Sequence, residues 1–151
     1  MFELHPKLSE DCFEIGQFPL GKLLLMNDSN YPWFILVPQR ESIREIHELK
    51  DEDQQQLIRE SSYLSEKLSA IFAAHKMNIA ALGNVVPQLH IHHVVRYRDD
   101  PAWPNPVWGR VTPTPYDVSG KERVVGKVLS VIQNEMPFTI YEGWSISANT
   151  L

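Results

Sequence analysis

The chain has 151 residues, 43% of them hydrophobic and 22% charged, with a formal net charge of -5. That length suits one domain with a real core, and the negative charge argues against generic attraction to nucleic acid. The one cysteine, Cys12, excludes an intrachain disulfide and fits a reducing compartment.

The opening Met1-Phe2-Glu3-Leu4-His5-Pro6 lacks the basic-then-apolar pattern of a secretory signal. No apolar run approaches the roughly 18 residues of a membrane span. The expected setting is cytoplasmic, with no membrane partner. Residues 3 to 11 read as a short helical turn and a loop. Cys12 to Phe18 and Lys22 to Met26 read as two strands, joined by hairpin chemistry at Pro19-Leu20-Gly21. Asn27 to Pro32 is a polar loop. Trp33 to Val37 is a continuous apolar strand ended by Pro38, expected to be central and covered on both faces.

Asp51 and Gln54 have the spacing of a capping box, so a long helix is expected from Asp51 towards His75. Leu57, Ser61, Leu64, Leu68, Ile71 and His75 recur at steps of three and four and define its packed face. Glu52, Asp53, Arg59, Glu66 and Lys67 read as a solvated face. Asn78 to Leu82 is a further strand, and Gly83 to Val86 a short connection. Pro101 to Gly109, rich in proline and glycine, reads as an extended surface loop. Ser119 and Glu122 have capping-box spacing for a last helix, with Val124, Val125, Val128, Leu129 and Ile132 apolar.

The stretch Pro87 to Val95 carries the chemistry. It reads as a strand, with Pro87 at its first position. Alternation places Gln88, His90, His92 and Val94 on one face and His93 on the other. A neutral imidazole has one protonated nitrogen and one lone pair. If a fixed acceptor ties the proton, the other nitrogen is free to attack phosphorus, and a second imidazole two residues on can donate to phosphoryl oxygens. His-x-His on a strand is also a zinc-ligand spacing, and it occurs in purely structural settings. From the residues alone, all three readings stand.

Gln88-Leu89-His90-Ile91-His92-His93-Val94-Val95 resembles the histidine triad (HIT) motif, His-φ-His-φ-His-φ-φ with φ apolar. The likeness extends to the element order and covers roughly residues 12 to 109. It implies an α+β fold: a HIT-like antiparallel β-sheet with one long helix and a C-terminal helix. The chain is then a single domain over 1–151, with a core at 12–109 and a C-terminal extension at 110–151.

The resemblance also implies a nucleotide hydrolase or transferase acting at an α-phosphate, usually a homodimer. No cofactor is expected, and no metal is required, since imidazole and amide donors can stabilise the phosphate. Carried over, His90 is the nucleophile, His92 contacts phosphate, and Gln88 takes the first triad position in a supporting role. Asn84 lies near the phosphates, and Asn27 or Asp28 near the ribose hydroxyls. Apart from the resemblance, Trp103 and Trp108 read equally as rings that stack on a base or cover the site and as core or dimer packing. Arg40, Arg96 and Arg98 are expected at the surface. Three positions depart from the family pattern: Gln88 for histidine, His93 for an apolar residue, and Tyr31-Pro32-Trp33 where many members carry a Gly-His pair. The alternatives are a nucleotide-binding module without turnover, or a zinc-dependent hydrolase using His90 and His92.

Overall fold

In the computed structural model, which describes residues 1–144, six strands form one antiparallel sheet in the order β4-β5-β3-β2-β1-β6. They are β1 (Cys12–Gln17), β2 (Gly21–Met26), β3 (Trp33–Pro38), β4 (Lys76–Ala80), β5 (Ile91–Arg96) and the short β6 (Thr139–Ile140). The helices are α1 (Pro6–Asp11), α2 (Asp51–Ile71) and α3 (Val118–Ile132). The α+β architecture with one long helix and a C-terminal helix follows the sequence reading. None of the helices among the described residues is long and apolar enough to cross a membrane.

Strand alternation divides the core in two. Phe34 and Leu36 on β3, with Ile91 and Val95 on β5, face α2 and α3 and meet Leu57, Leu64, Leu68, Val125 and Val128. Trp33, Ile35 and Val37, with Val94, face the other way and pack under Leu8, Val86, Ala102 and Val107. β3 is buried along its whole length because it is central and covered on both sides. The β1–β2 hairpin is stapled from α2. The buried Glu60 carboxylate accepts from the backbone N–H of Leu20 at 2.9 Å and of Gly21 at 2.7 Å. A Cβ on Gly21 would lie 2.6 Å from Leu36 and 2.8 Å from that carboxylate, so this close approach requires glycine.

Several local expectations are corrected. α2 is capped at Lys50, not Asp51, and has no side-chain cap; Asp51, Glu52 and Asp53 fall in the first turn, where negative charge suits the helix dipole. Gln54 donates instead to the Leu49 carbonyl at 2.9 Å. The helix ends at Ile71, because Ala73 turns left-handed at φ 49 and the His75 N–H joins the Arg96 carbonyl. His75 therefore leaves the helical stripe. Asp53 is buried rather than solvated, held by the Arg40 fork through bonds of 2.7 and 3.1 Å.

α3 is capped by Asp117, which accepts from Gly120 N–H at 2.6 Å, so the Ser119–Glu122 box does not form. Asp117 stands in extended backbone immediately ahead of the helix, the position that a capping side chain needs. The segment 101–109 is not an extended surface loop. It folds back in turns, with Asp100 accepting from the N–H groups of Ala102 and Trp103, and it buries Ala102 and Val107. Arg96 is 1% exposed rather than at the surface; it forks onto Asp100 at 2.8 and 3.0 Å and donates to Asn78 at 2.7 Å.

Candidate active site

The histidine strand starts later than its composition suggests. The sheet ladder begins at Ile91, opposite Leu36, and the Leu89 N–H is taken by the Ile43 carbonyl instead of a neighbouring strand. Gln88 to His90 therefore approach as irregular chain. The alternation nonetheless survives: His90 and His92 stand on one side with ring centroids 4.9 Å apart, and His93 points to the helix side.

The ring nitrogens have assigned partners. His90 Nδ1 lies 2.7 Å from the Gln88 carbonyl. A carbonyl only accepts, so Nδ1 carries the proton and Nε2 holds the lone pair. His92 Nδ1 accepts from the indole Nε1–H of Trp33 at 3.0 Å, which leaves its proton on Nε2. Burial holds His90 below the ordinary imidazole range, opposed by the Gln88 carbonyl and reinforced by nearby His5. Burial, followed by the charges of His90 and His93, pushes His92 down to about 3. Both rings are therefore neutral at pH 7.

The rings open onto a cavity of about 410 Å³. Leu8, Met26, Ile35, Leu82, Val85, Val86 and Trp108 give it apolar walls, and Lys7, Asp11 and Asn84 add polar groups. Gly83, at φ 73, turns the chain into this connection, in the left-handed region that favours glycine. Apolar walls with a few placed polar groups are typical of small-molecule sites.

Of the residues singled out in the sequence, His90, His92 and Asn84 come together on this cavity. Four others point elsewhere. The Gln88 amide grips the N-terminal segment: its Oε1 accepts from His5 N–H at 2.9 Å and its Nε2 donates to the Glu3 carbonyl at 2.8 Å. Asn27 Oδ1 accepts from Tyr116 N–H at 2.8 Å. Asp28, 3% exposed, accepts from the N–H groups of Asn30 and Thr114. Trp103 packs on His75 and beneath the Arg96 guanidinium. Trp108 is the tryptophan at the site, with its ring centroid 5.1 Å from His92.

Sequence reasoning marked Trp33 as a departure from the family pattern but missed its bond to His92 and the contribution of α1. Trp33 and Ile35 share one face of β3, but only the pairing of β3 with β5 turns that alternation into a shared site. Among the described residues, no three His, Cys, Asp or Glu side chains gather to hold a metal ion. The zinc reading of His90 and His92 thus has no third protein ligand there.

Comparison with known proteins agrees with this geometry. The HIT domain family model matches residues 7–99. A histidine triad protein from Marinobacter aquaeolei VT8 is 51% identical, with a TM-score of 0.86 over 88% of this chain and 97% of its own. One from Bradyrhizobium japonicum is 44% identical, with a TM-score of 0.85 over 87% and 98%. A third, from Sinorhizobium meliloti 1021, is 39% identical, with a TM-score of 0.84 over 86% and 96%. No curated protein matches. The paired histidines on β5, the sheet around them and these likenesses lead to one conclusion: the chain belongs to the HIT domain family.

Proposed function

We propose that this protein is a nucleotide phosphohydrolase or nucleotidyl transferase that works at the α-phosphate through a covalent nucleotidyl-His90 intermediate. Proteins with this domain are typically nucleotide hydrolases or transferases. The observation that carries the finer reading is the bond from His90 Nδ1–H to the Gln88 carbonyl. It leaves a neutral, desolvated Nε2 lone pair on a ring that lines the cavity.

In the first half-reaction the Nε2 lone pair forms a bond to phosphorus. The bond from phosphorus to the leaving group breaks, and the leaving group takes its electron pair. The positive charge gained by the ring is stabilised by the Nδ1–H bond to the carbonyl. In the second half-reaction water, or another acceptor hydroxyl, attacks phosphorus. The P–N bond returns its pair to Nε2 and the attacking oxygen loses its proton to solvent. Asn84, the His92 N–H and the Lys7 ammonium are donors on the cavity for phosphoryl oxygens. Donors aimed at developing charge are worth about 3 kcal/mol each in comparable sites.

Rapid quenching during turnover of an adenylated substrate tests this reading. Mass spectrometry is expected to find an adenylyl group on the peptide containing His90. Turnover with no adduct on that peptide would exclude the covalent route. Nucleotide binding without turnover would favour the binding-module alternative.

The same reading pairs two copies in a C2 homodimer, as the resemblance implies, with α2 or a neighbouring strand in the interface. β4 is an edge of the sheet and leaves Ile79 50% and the following Leu82 46% exposed. An open, partly apolar edge is a ready surface for a second chain.

A further inference from the structure

In the register of β3 with β5, Ile35 lies opposite His92 and Trp33 opposite Val94. Residues directly opposite share a face, and large side chains also reach diagonal neighbours. The Trp33 indole reaches its diagonal neighbour His92, with Nε1 3.0 Å from Nδ1. An indole N–H donates only. His92 Nδ1 must therefore hold a lone pair. Trp33 is 7% exposed and stands edge-on to Trp108 at 5.8 Å and to Tyr31 at 6.3 Å, so packing fixes its orientation. The neighbouring ring has the opposite arrangement, with the His90 proton on Nδ1 against the Gln88 carbonyl.

We infer that Trp33 is a positioning residue that holds His92 as its Nε2–H tautomer, so that the cavity presents one imidazole lone pair, on His90, and one imidazole N–H donor, on His92. The tautomer stands on the hydrogen bond alone; its catalytic use rests on the function proposed above.

The consequence is chemical. A neutral Nε2–H donates a hydrogen bond to a phosphoryl oxygen but has no proton to surrender, because its loss would leave an imidazolate. No proton passes between His92 and the substrate. When His90 Nε2 bonds to phosphorus and the P–O bond breaks, the leaving oxygen departs as an anion with the bonding pair. The site is therefore suited to anhydride substrates, whose leaving group is a phosphate or carboxylate anion. It is poorly suited to phosphoramidates, whose amine must be protonated to leave.

Nitrogen-15 NMR of the full chain at pH 7, without substrate, tests the tautomer directly. His92 is expected to show an unprotonated, hydrogen-bonded Nδ1 and a protonated Nε2. Trp33→Phe keeps a ring but removes the donor. It should shift His92 to a mixture of tautomers and lower kcat by about fivefold, the worth of one hydrogen bond, with KM little changed. A wild-type His92 protonated on Nδ1, or a tautomer ratio unmoved by Trp33→Phe, overturns the inference whether or not the protein is an enzyme. If Trp33→Phe does not fold, the wild-type spectrum still decides. The expected tautomer in a protein that turns over no nucleotide upholds the positioning role and overturns the proposed function instead. With an active protein, preference for an adenylyl phosphoramidate over an adenylyl anhydride would overturn the leaving-group assignment.

Discussion

Ser61 on α2 and His93 on β5 meet at 2.7 Å, Oγ to Nε2, on the side of the sheet opposite the two site histidines. The other nitrogen of His93 lies 3.1 Å from the Ile91 carbonyl and carries the proton, so the Ser61 hydroxyl is the donor. His93 is fully buried. Its departure from the motif is thus a polar joint between helix and sheet. Ser61→Ala leaves a buried nitrogen without its donor and should destabilise the fold by about 1 to 3 kcal/mol. Because the joint is on the far face, kcat should stay within about twofold. Urea denaturation together with steady-state kinetics checks both; a large loss of kcat with unchanged stability would contradict the separation of the two faces.

The two site histidines should differ in severity. His90→Ala removes the proposed nucleophile and should lower kcat by on the order of a thousandfold or more, while nucleotide binding survives. His92→Ala removes one donor and should cost about a hundredfold. Equal and mild losses would assign the chemistry elsewhere. Stopped assays with calorimetric binding separate kcat from affinity.

Acid should weaken the fold. Burial pushes His92 down to about 3 and His93 down to about 4, against about 6.5 for an unfolded chain. Below about pH 6.5 the unfolded chain takes up protons that the folded one refuses. The stability contributed by these neutral rings is complete above that pH. It is lost as pH falls towards 4 and 3, by about 1.4 kcal/mol per pH unit for each ring. Melting temperature should therefore fall clearly between pH 7 and pH 5. An unchanged value would mean that these rings are hydrated.

Gln88 should matter for binding more than for chemistry. Its side chain holds residues 3 to 5, which lead into α1 and the cavity residues Lys7 and Leu8. Its carbonyl, which orients His90, is main chain and survives substitution. Gln88→Ala is expected to raise KM by about fivefold, roughly one hydrogen bond's worth, with kcat nearly intact. A collapse of kcat would show that the amide itself serves the reaction.

The oligomer is open to a direct test. Sedimentation at micromolar concentration should show two copies per particle, and Ile79→Lys, on the open edge of β4, should shift the balance towards one. A monomer in both would remove the pairing from the proposed function.

Much of this was legible in the sequence because the governing patterns are local. Alternation along 88–95 separated His90 and His92 from His93 without any knowledge of the sheet. The apolar run of β3 announced a central strand, and the stripe Leu57, Ser61, Leu64, Leu68 fixed the packed face of α2. What escaped depends on distant partners. The bond from Trp33 to His92 exists only in one register of β3 against β5. Asn27 and Asp28 looked like ligand groups because their partners, Tyr116 and Thr114, lie more than eighty residues away. Arg96 is a different case: Asp100 is only four residues on, but the turn that folds its carboxylate back over the strand has no simple periodic signature.

The bonds at Asn27 and Asp28 tie one rim of the cavity to the entrance of α3. Tyr116 N–H, Thr114 N–H and the Thr114 carbonyl, which takes Ser29 N–H at 2.7 Å, are all committed to residues 27 to 29. Peeling away 112–116 would break all three bonds at once and leave the buried Asp28 carboxylate to Asn30 alone, so neither segment opens cheaply alone. The two should exchange their amide hydrogens for deuterium on one time course, as a single cooperative unit. A ligand that rests on Met26 would then slow exchange at Thr114 and Tyr116, two positions that do not line its cavity.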